Sequence, residues 1–181
     1  MKGQKKQEWI EKGYELVAKD GFNCLGVELM AKVVNKSKSS FYHYFGDLDG
    51  FKEELLKHHL TSSHYFAQRV AQCKNIHPET LEVLLEHQTD VFFHKQLRIN
   101  RGDLGFEQYI EKVFEIYEMA IVDKWIAYFD LQKKTLFVRT FNRFITEHFC
   151  LLITQESYTY DWLANYVQQL AEMLQQMKAE E

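Results

Sequence analysis

Apolar side chains recur at intervals of three and four residues along this 181-residue chain, and no stretch alternates over strand lengths. That period is helical, and the chain reads as all-α. Trp9, Ile10, Gly13, Leu16 and Val17 place a first helix at about Gln4 to Asp20, stopped by Gly21-Phe22-Asn23. Leu29, Met30, Val33 and Val34 give a short second helix its apolar face. Asn35 ends it, because Asn tolerates the left-handed backbone that closes helices. Ser37 is placed to cap a third helix, where Phe41 and Phe45 share one face and anchor it to a core. A fourth helix is predicted from Leu48, with Asp47 as its cap, to about Cys73. Pro78 suits the first position of helix five, whose stripe Leu81, Leu84, Leu85, Val91 and Phe92 runs on to about Lys95. After a loop from Gln96 to Leu104, a long amphipathic helix holds Phe106, Ile110, Val113, Phe114, Tyr117, Ile121 and Tyr128. Past Asp130 to Lys134, the last two helices run from about Thr135 to Thr154 and from about Tyr160 to Lys178.

The third helix turns Lys38, Ser39, Ser40, Tyr42, His43 and Tyr44 away from its aromatic anchors. Such a face suits insertion into a DNA major groove. Lysine reaches guanine acceptors, serine serves any base edge, and hydroxyls donate to phosphates. Lys38, Ser39, Ser40 and His43 are assigned to base edges or nearby phosphates, and Tyr42, Tyr44 and Lys5 to the backbone. Lys6, beside Lys5 at the start of the first helix, is a further phosphate candidate, and Lys36 and Ser37 complete the DNA-facing set.

The run Ala31-Lys-x-x-Asn35-x-Ser37-Lys-x-Ser40-Phe41-Tyr42-His43-Tyr44-Phe45 resembles the helix-turn-helix signature of the TetR family of transcriptional regulators (TetR/AcrR-like). Ile10 to Phe22 is similar to that family's first helix, with its closing Gly-aromatic pair. The resemblance implies an N-terminal three-helix helix-turn-helix head (residues 1–47). It implies a helical effector-binding and dimerisation body of about five or six helices (residues 48–181). The chain departs from the family at Asn35, which stands for Gly, at Lys36, which stands for a small apolar residue, and at Ser39, again for Gly. Leu48 stands where relatives often place a phosphate-contacting lysine. Backbone N–H groups at that helix start can still face a phosphate.

Polar residues interrupt the body's apolar stripes: His59 and Ser62 on helix four, Gln88 on helix five, Tyr117 on the long helix and His148 on the penultimate one. Buried polar groups need partners. In a family whose body forms an effector pocket, these residues, with Phe92 and Phe141 as aromatic walls, are candidates for the pocket of an unknown, apolar or aromatic small molecule. On the penultimate helix, Phe137, Phe141, Phe144, Ile145, His148, Leu151 and Leu152 form one stripe, which Val138, Phe149 and Ile153 widen past half the circumference. Such a helix must be covered on two sides. Phe144 and Leu151, with Leu163, Tyr166, Val167, Leu170 and Leu174 on the last helix, are the expected homodimer interface. The resemblance implies the same interface, a four-helix bundle of the last two helices of each subunit.

Net charge is −4, which argues against nucleic acid until its distribution is read. Met1 to Phe45 holds eight lysines against five acids, net +3, and the remainder is net −7. A basic head on an acidic body fits a DNA reader. Hydrophobic content of 46% is ample for a core, and no apolar run approaches the length of a membrane span or a signal core. Cys24, Cys73 and Cys150 are unpatterned, which suits a reducing cytosol and a cytoplasmic location. His87, Asp90 and His94 have spacings that suit a metal, but their place on the polar side of helix five favours a solvated face; His58-His59 and His64 read likewise. No phosphate-binding Gly loop, nucleophile elbow or paired-Cys motif is present, and neither enzyme activity, metal nor cofactor is expected.

The leading expectation is therefore a bacterial-type, TetR-like regulator. It would be a homodimeric repressor, bound to double-stranded operator DNA and released by a small-molecule effector, with no membrane association. Two other classes stand beside it. One is a helical small-molecule-binding protein or enzyme with a relic helix-turn-helix head. The other is an architectural DNA binder without an effector.

Overall fold

In the computed structural model the described residues are 2–102, 105–131 and 136–179. All regular structure among them is helical: α1 (Lys2–Asp20), α2 (Val27–Val33), α3 (Lys38–Phe45), α4 (Leu48–Gln72), α5 (Leu81–Glu86), α6 (Gln88–Ile99), α7 (Phe106–Tyr128), α8 (Leu136–Leu152) and α9 (Tyr160–Ala179). Asp103 and Leu104 of the expected loop, residues 132–134 of the expected break, and Thr135 of the expected penultimate helix lie outside the described residues. No helix among the described residues is long and apolar enough to cross a membrane.

The chain packs as two compact units. The first takes residues 1–63 and 89–113, and the second residues 64–88 and 114–181. The domain division expected at residue 47 does not coincide with these units, the first of which also holds residues 48–63 and 89–113.

The first unit is built on aromatic side chains. Trp9 meets Phe41 edge-on at 5.5 Å, and Phe51 lies 5.1 Å from Phe41 and 4.7 Å from Phe45. Trp9, Phe41 and Phe51 are fully buried, each contributing on the order of 1.5–3 kcal/mol. A second group stacks Tyr14 on Phe93 at 4.1 Å, with Phe22 between Phe93 and Phe106 at 5.4 and 4.7 Å. Gly50 permits the close approach of α4 to the end of α3: a Cβ there would stand 2.2 Å from the backbone oxygen of Phe45.

In this unit α2 ends as expected. Asn35 has φ 54°, its N–H reaches the Lys32 oxygen at 3.2 Å, and the Lys36 N–H reaches the Ala31 oxygen at 2.9 Å. Together these bonds satisfy carbonyls left open at the helix end, in a Schellman arrangement. The apolar face of α2 is shifted from the one expected. Met30, Ala31 and Val34 are buried, whereas Leu29 and Val33 are 39% and 43% exposed. A helix of seven residues buries one narrow face, and its apolar side chains outnumber the positions on it.

The second unit packs the end of α4, α5, most of α7, α8 and α9. Phe66, Val70 and Val83 form one cluster, with Tyr117 and Ile121 against it. Tyr158 donates to the Leu84 oxygen at 2.8 Å, fastening the α8–α9 connection to α5. At the end of α7, Asp130 has φ 50° and the Leu131 N–H bonds the Ile126 oxygen at 3.0 Å. Lys178 donates there to the Phe129 and Asp130 oxygens at 3.1 and 2.8 Å, placing a cation at a helix C-terminus.

Helix five is corrected. The single helix expected from Pro78 to Lys95 is one wide turn at Ile76–Thr80, then α5, then α6. His87, with φ −100° and ψ 27°, separates α5 from α6, its ring against Tyr65 and Phe66 at 5.5 and 5.2 Å. Neither Gly nor Pro marks this break, and periodicity carried across it loses phase.

Candidate nucleic-acid interface

Residues 35–45 place a short helix with its polar face outward. Ser37 caps α3, its Oγ accepting from the Ser40 N–H at 3.2 Å. Phe41 and Phe45 hold the inner face. Ser37, Lys38, Ser39, Tyr42 and His43 are exposed, and Lys36, Ser40 and Tyr44 half-buried. Lys5 is exposed on α1. The following helix starts with Asp47 as cap, Oδ1 accepting from the Gly50 N–H at 2.8 Å.

Carboxylates attend this surface, which the sequence did not reveal. Lys38 Nζ pairs with Glu28, in the first turn of α2. Lys36 pairs with Glu8 at 3.1 Å, and Lys6 with Glu54 at 2.5 Å while lying 5.7 Å from the Phe45 ring. Glu28 is held below its ordinary pKa, first by the hydrogen bond from Lys38 and then by that lysine's charge. Glu54 is lowered likewise, chiefly by the hydrogen bond from Lys6. The apolar stem of Lys36 is half-covered, while its ammonium is engaged rather than idle in water.

The residues expected to line an effector pocket belong to both units. In the first, His59 and Phe92 are buried, but Ser62 is only half-buried. The hydroxyl turned inward on α4 is that of Ser63, which donates to the His59 oxygen at 2.7 Å. In the second unit Gln88 is exposed, a correction that follows from the break at His87. Tyr117 is half-buried against Phe66 at 5.0 Å. Phe141 is buried against Phe137 and Phe129, at 5.7 and 5.8 Å. Tyr166 donates to the Ile145 oxygen at 3.2 Å, so its oxygen accepts from His148 Nδ1 at 3.2 Å. Burial raises the Tyr166 phenol well above its ordinary value.

The expected interface residues divide in two. Leu163, Tyr166, Val167, Leu170 and Leu174 are buried within the chain itself and hold α9 to its own unit. Phe144 and Leu151 are 53% and 76% exposed on α8. With Phe137, also exposed, they recur every seven residues and lie within about 40° of one another around the helix.

His94, expected on a solvated face, is buried, and so is His59, which interrupts the apolar stripe of helix four. His59 and His94 are 0% and 3% exposed, and both imidazoles are pushed down from the ordinary histidine pKa by burial, His59 to about 3. A continuous helix five would put His94 on its polar side; the break at His87 turns it inward. Tyr14, four residues after Ile10 and three before Val17, continues the buried face of α1 and contacts His59. Among the described residues no group of three or more His, Cys, Asp or Glu side chains is placed to hold a metal ion. No protein-family model and no curated protein matches the chain.

Proposed function

We propose that the chain is a TetR-like, DNA-binding transcriptional regulator, a cytoplasmic homodimeric repressor with a helix-turn-helix head. The observation that carries this reading is α3, which offers lysine, hydroxyls and imidazole on one exposed face while two buried phenylalanines fix the other. A rigid helix presenting such groups is what direct readout of a major groove requires. The exposed Phe137, Phe144 and Leu151 supply an apolar surface for a second subunit. Two α3 helices on a dimer then meet half-sites about one helical turn, 34–36 Å, apart. An effector releases DNA only by binding the DNA-incompetent arrangement more tightly, since equal affinity shifts no population.

A second reading, a helical small-molecule-binding protein or enzyme with a relic head, is favoured by the carboxylates on Lys6, Lys36 and Lys38 and by Leu48. Selection from a random duplex pool at two salt concentrations separates them. The regulator yields a palindrome whose affinity falls steeply with salt, and Lys38→Ala weakens it by about 1–3 kcal/mol if that lysine reads a base. No enriched sequence and no salt dependence refutes it in favour of the relic.

A further inference from the structure

Inside the first unit, five polar side chains from three helices form an unbroken line. Arg98 Nε lies 2.9 Å from His94 Nε2. His94 Nδ1 lies 3.2 Å from His59 Nε2, and His59 Nδ1 lies 2.7 Å from the Tyr14 hydroxyl. That hydroxyl is 2.7 Å from Asp90 Oδ1.

A guanidinium can only donate, and this fixes every later link. His94 Nε2 accepts, so its proton sits on Nδ1 and is donated to His59 Nε2. His59 in turn carries its proton on Nδ1 and donates to Tyr14, whose O–H donates to Asp90. The line starts at a cation and ends at an anion, so each bond polarises the next in one direction. Both imidazoles must be neutral for it to exist.

We propose that this line is an acid-opened latch, in which Arg98, His94, His59, Tyr14 and Asp90 clamp α6 to α1 and α4 while both imidazoles are neutral. The inference is independent of DNA binding. A proton on His94 Nε2 would set an imidazolium N–H against the Arg98 guanidinium, and one on His59 Nε2 would set two donors against each other. The charged and titratable groups acting on the two imidazoles are Tyr14 from α1, His58 from α4, and Asp90 and Arg98 from α6, while Glu11 of α1 acts on the neighbouring His58. Asp90 favours an imidazolium at His59, but desolvation outweighs it. Protons are therefore taken up by the opened arrangement, where both rings regain an ordinary pKa near 6.5.

Linkage sets the effect. Between about pH 7.5 and about pH 5.5, each imidazole released to a pKa near 6.5 multiplies the opened population by about 10, and the pair by about 100. Native-state hydrogen exchange of the full chain, corrected for intrinsic rates, reads this at amides of α6 and of α1 around Tyr14. The expected result is an opening constant about 100-fold larger at the lower pH in those segments, larger at both pH values than the global unfolding constant read from the slowest amides of α9, and a rise of only about 10-fold in His94→Gln. A pH-independent opening, or an opening constant in α6 and α1 no larger than that of global unfolding at both pH values, overturns the latch. Imidazole nitrogen chemical shifts at neutral pH test it without any variant. Both His59 and His94 are expected as Nδ1–H tautomers, and an Nε2–H tautomer at either breaks the line and overturns the proposal.

Discussion

Replacing Gly50 by Ala is expected to destabilise the protein, although alanine is the better helix former. Gly50 lies in the first turn of α4, where the substitution would ordinarily gain up to about 1 kcal/mol. Its Cβ, however, would stand 2.2 Å from the Phe45 backbone oxygen, 0.8 Å inside the 3.0 Å that Cβ contacts essentially never cross. The obstacle is backbone and cannot change rotamer, so α3 and α4 must separate. That strains the Phe41–Phe45–Phe51 contacts, whose centroids lie 4.7–5.1 Å apart. Overpacking of this kind costs about 1–3 kcal/mol. Set against the gain in helix propensity, the net loss is up to about 2 kcal/mol, or up to roughly 8 °C in Tm for a chain of this size. Gly26→Ser serves as the opposite control. Gly26 is the N-cap of α2, extended at φ −157°, with no side-chain cap and nothing within 4 Å of an added Cβ. Serine there should stabilise by a few tenths of a kcal/mol. Thermal and urea unfolding followed by circular dichroism measures both. A Gly50→Ala protein as stable as the parent, or more so, would refute the reasoning from close approach.

His59 also makes global stability pH-dependent. Its folded pKa is near 3, against 6.5 for the ordinary imidazole, so the unfolded chain binds the proton first. The stabilisation is present above pH 6.5 and lost progressively as pH falls towards 3, by about 2 kcal/mol at pH 5 from His59 alone. Equal urea midpoints at about pH 7.5 and pH 5 would contradict this. Phe144→Glu combined with Leu151→Glu should give a monomer in sedimentation equilibrium with an intact circular dichroism spectrum, because both positions are exposed within the chain. A parent already monomeric at tens of micromolar, or a variant still dimeric, removes α8 as the interface. Glu28→Gln frees Lys38 and should tighten operator binding about two- to five-fold at low salt, with the gain shrinking as salt rises. Titration of a selected duplex tests this, and unchanged affinity means the pair does not compete with DNA.

The sequence alone determined where most helices begin and end, because period, caps and breakers are local. Ser37 caps α3, Asn35 turns left-handed to close α2, and Asp47 caps α4, each because a side chain of suitable chemistry adjoins the backbone it serves. The exposed face of α3 was legible for the same reason: Phe41 and Phe45 declare one side, and the rest follows from 3.6 residues per turn. Only the tertiary structure decided what depends on residues remote in the chain. The break at His87 has no local marker, and a helix continued through it would place Gln88 inward and His94 outward, the reverse of what is found. The carboxylates on Lys6, Lys36 and Lys38 come from 10 to 48 residues away. The Arg98-to-Asp90 line joins three helices through partners up to 76 residues apart. Periodicity says that a polar side chain is buried; which partner satisfies it is fixed only when the helices pack.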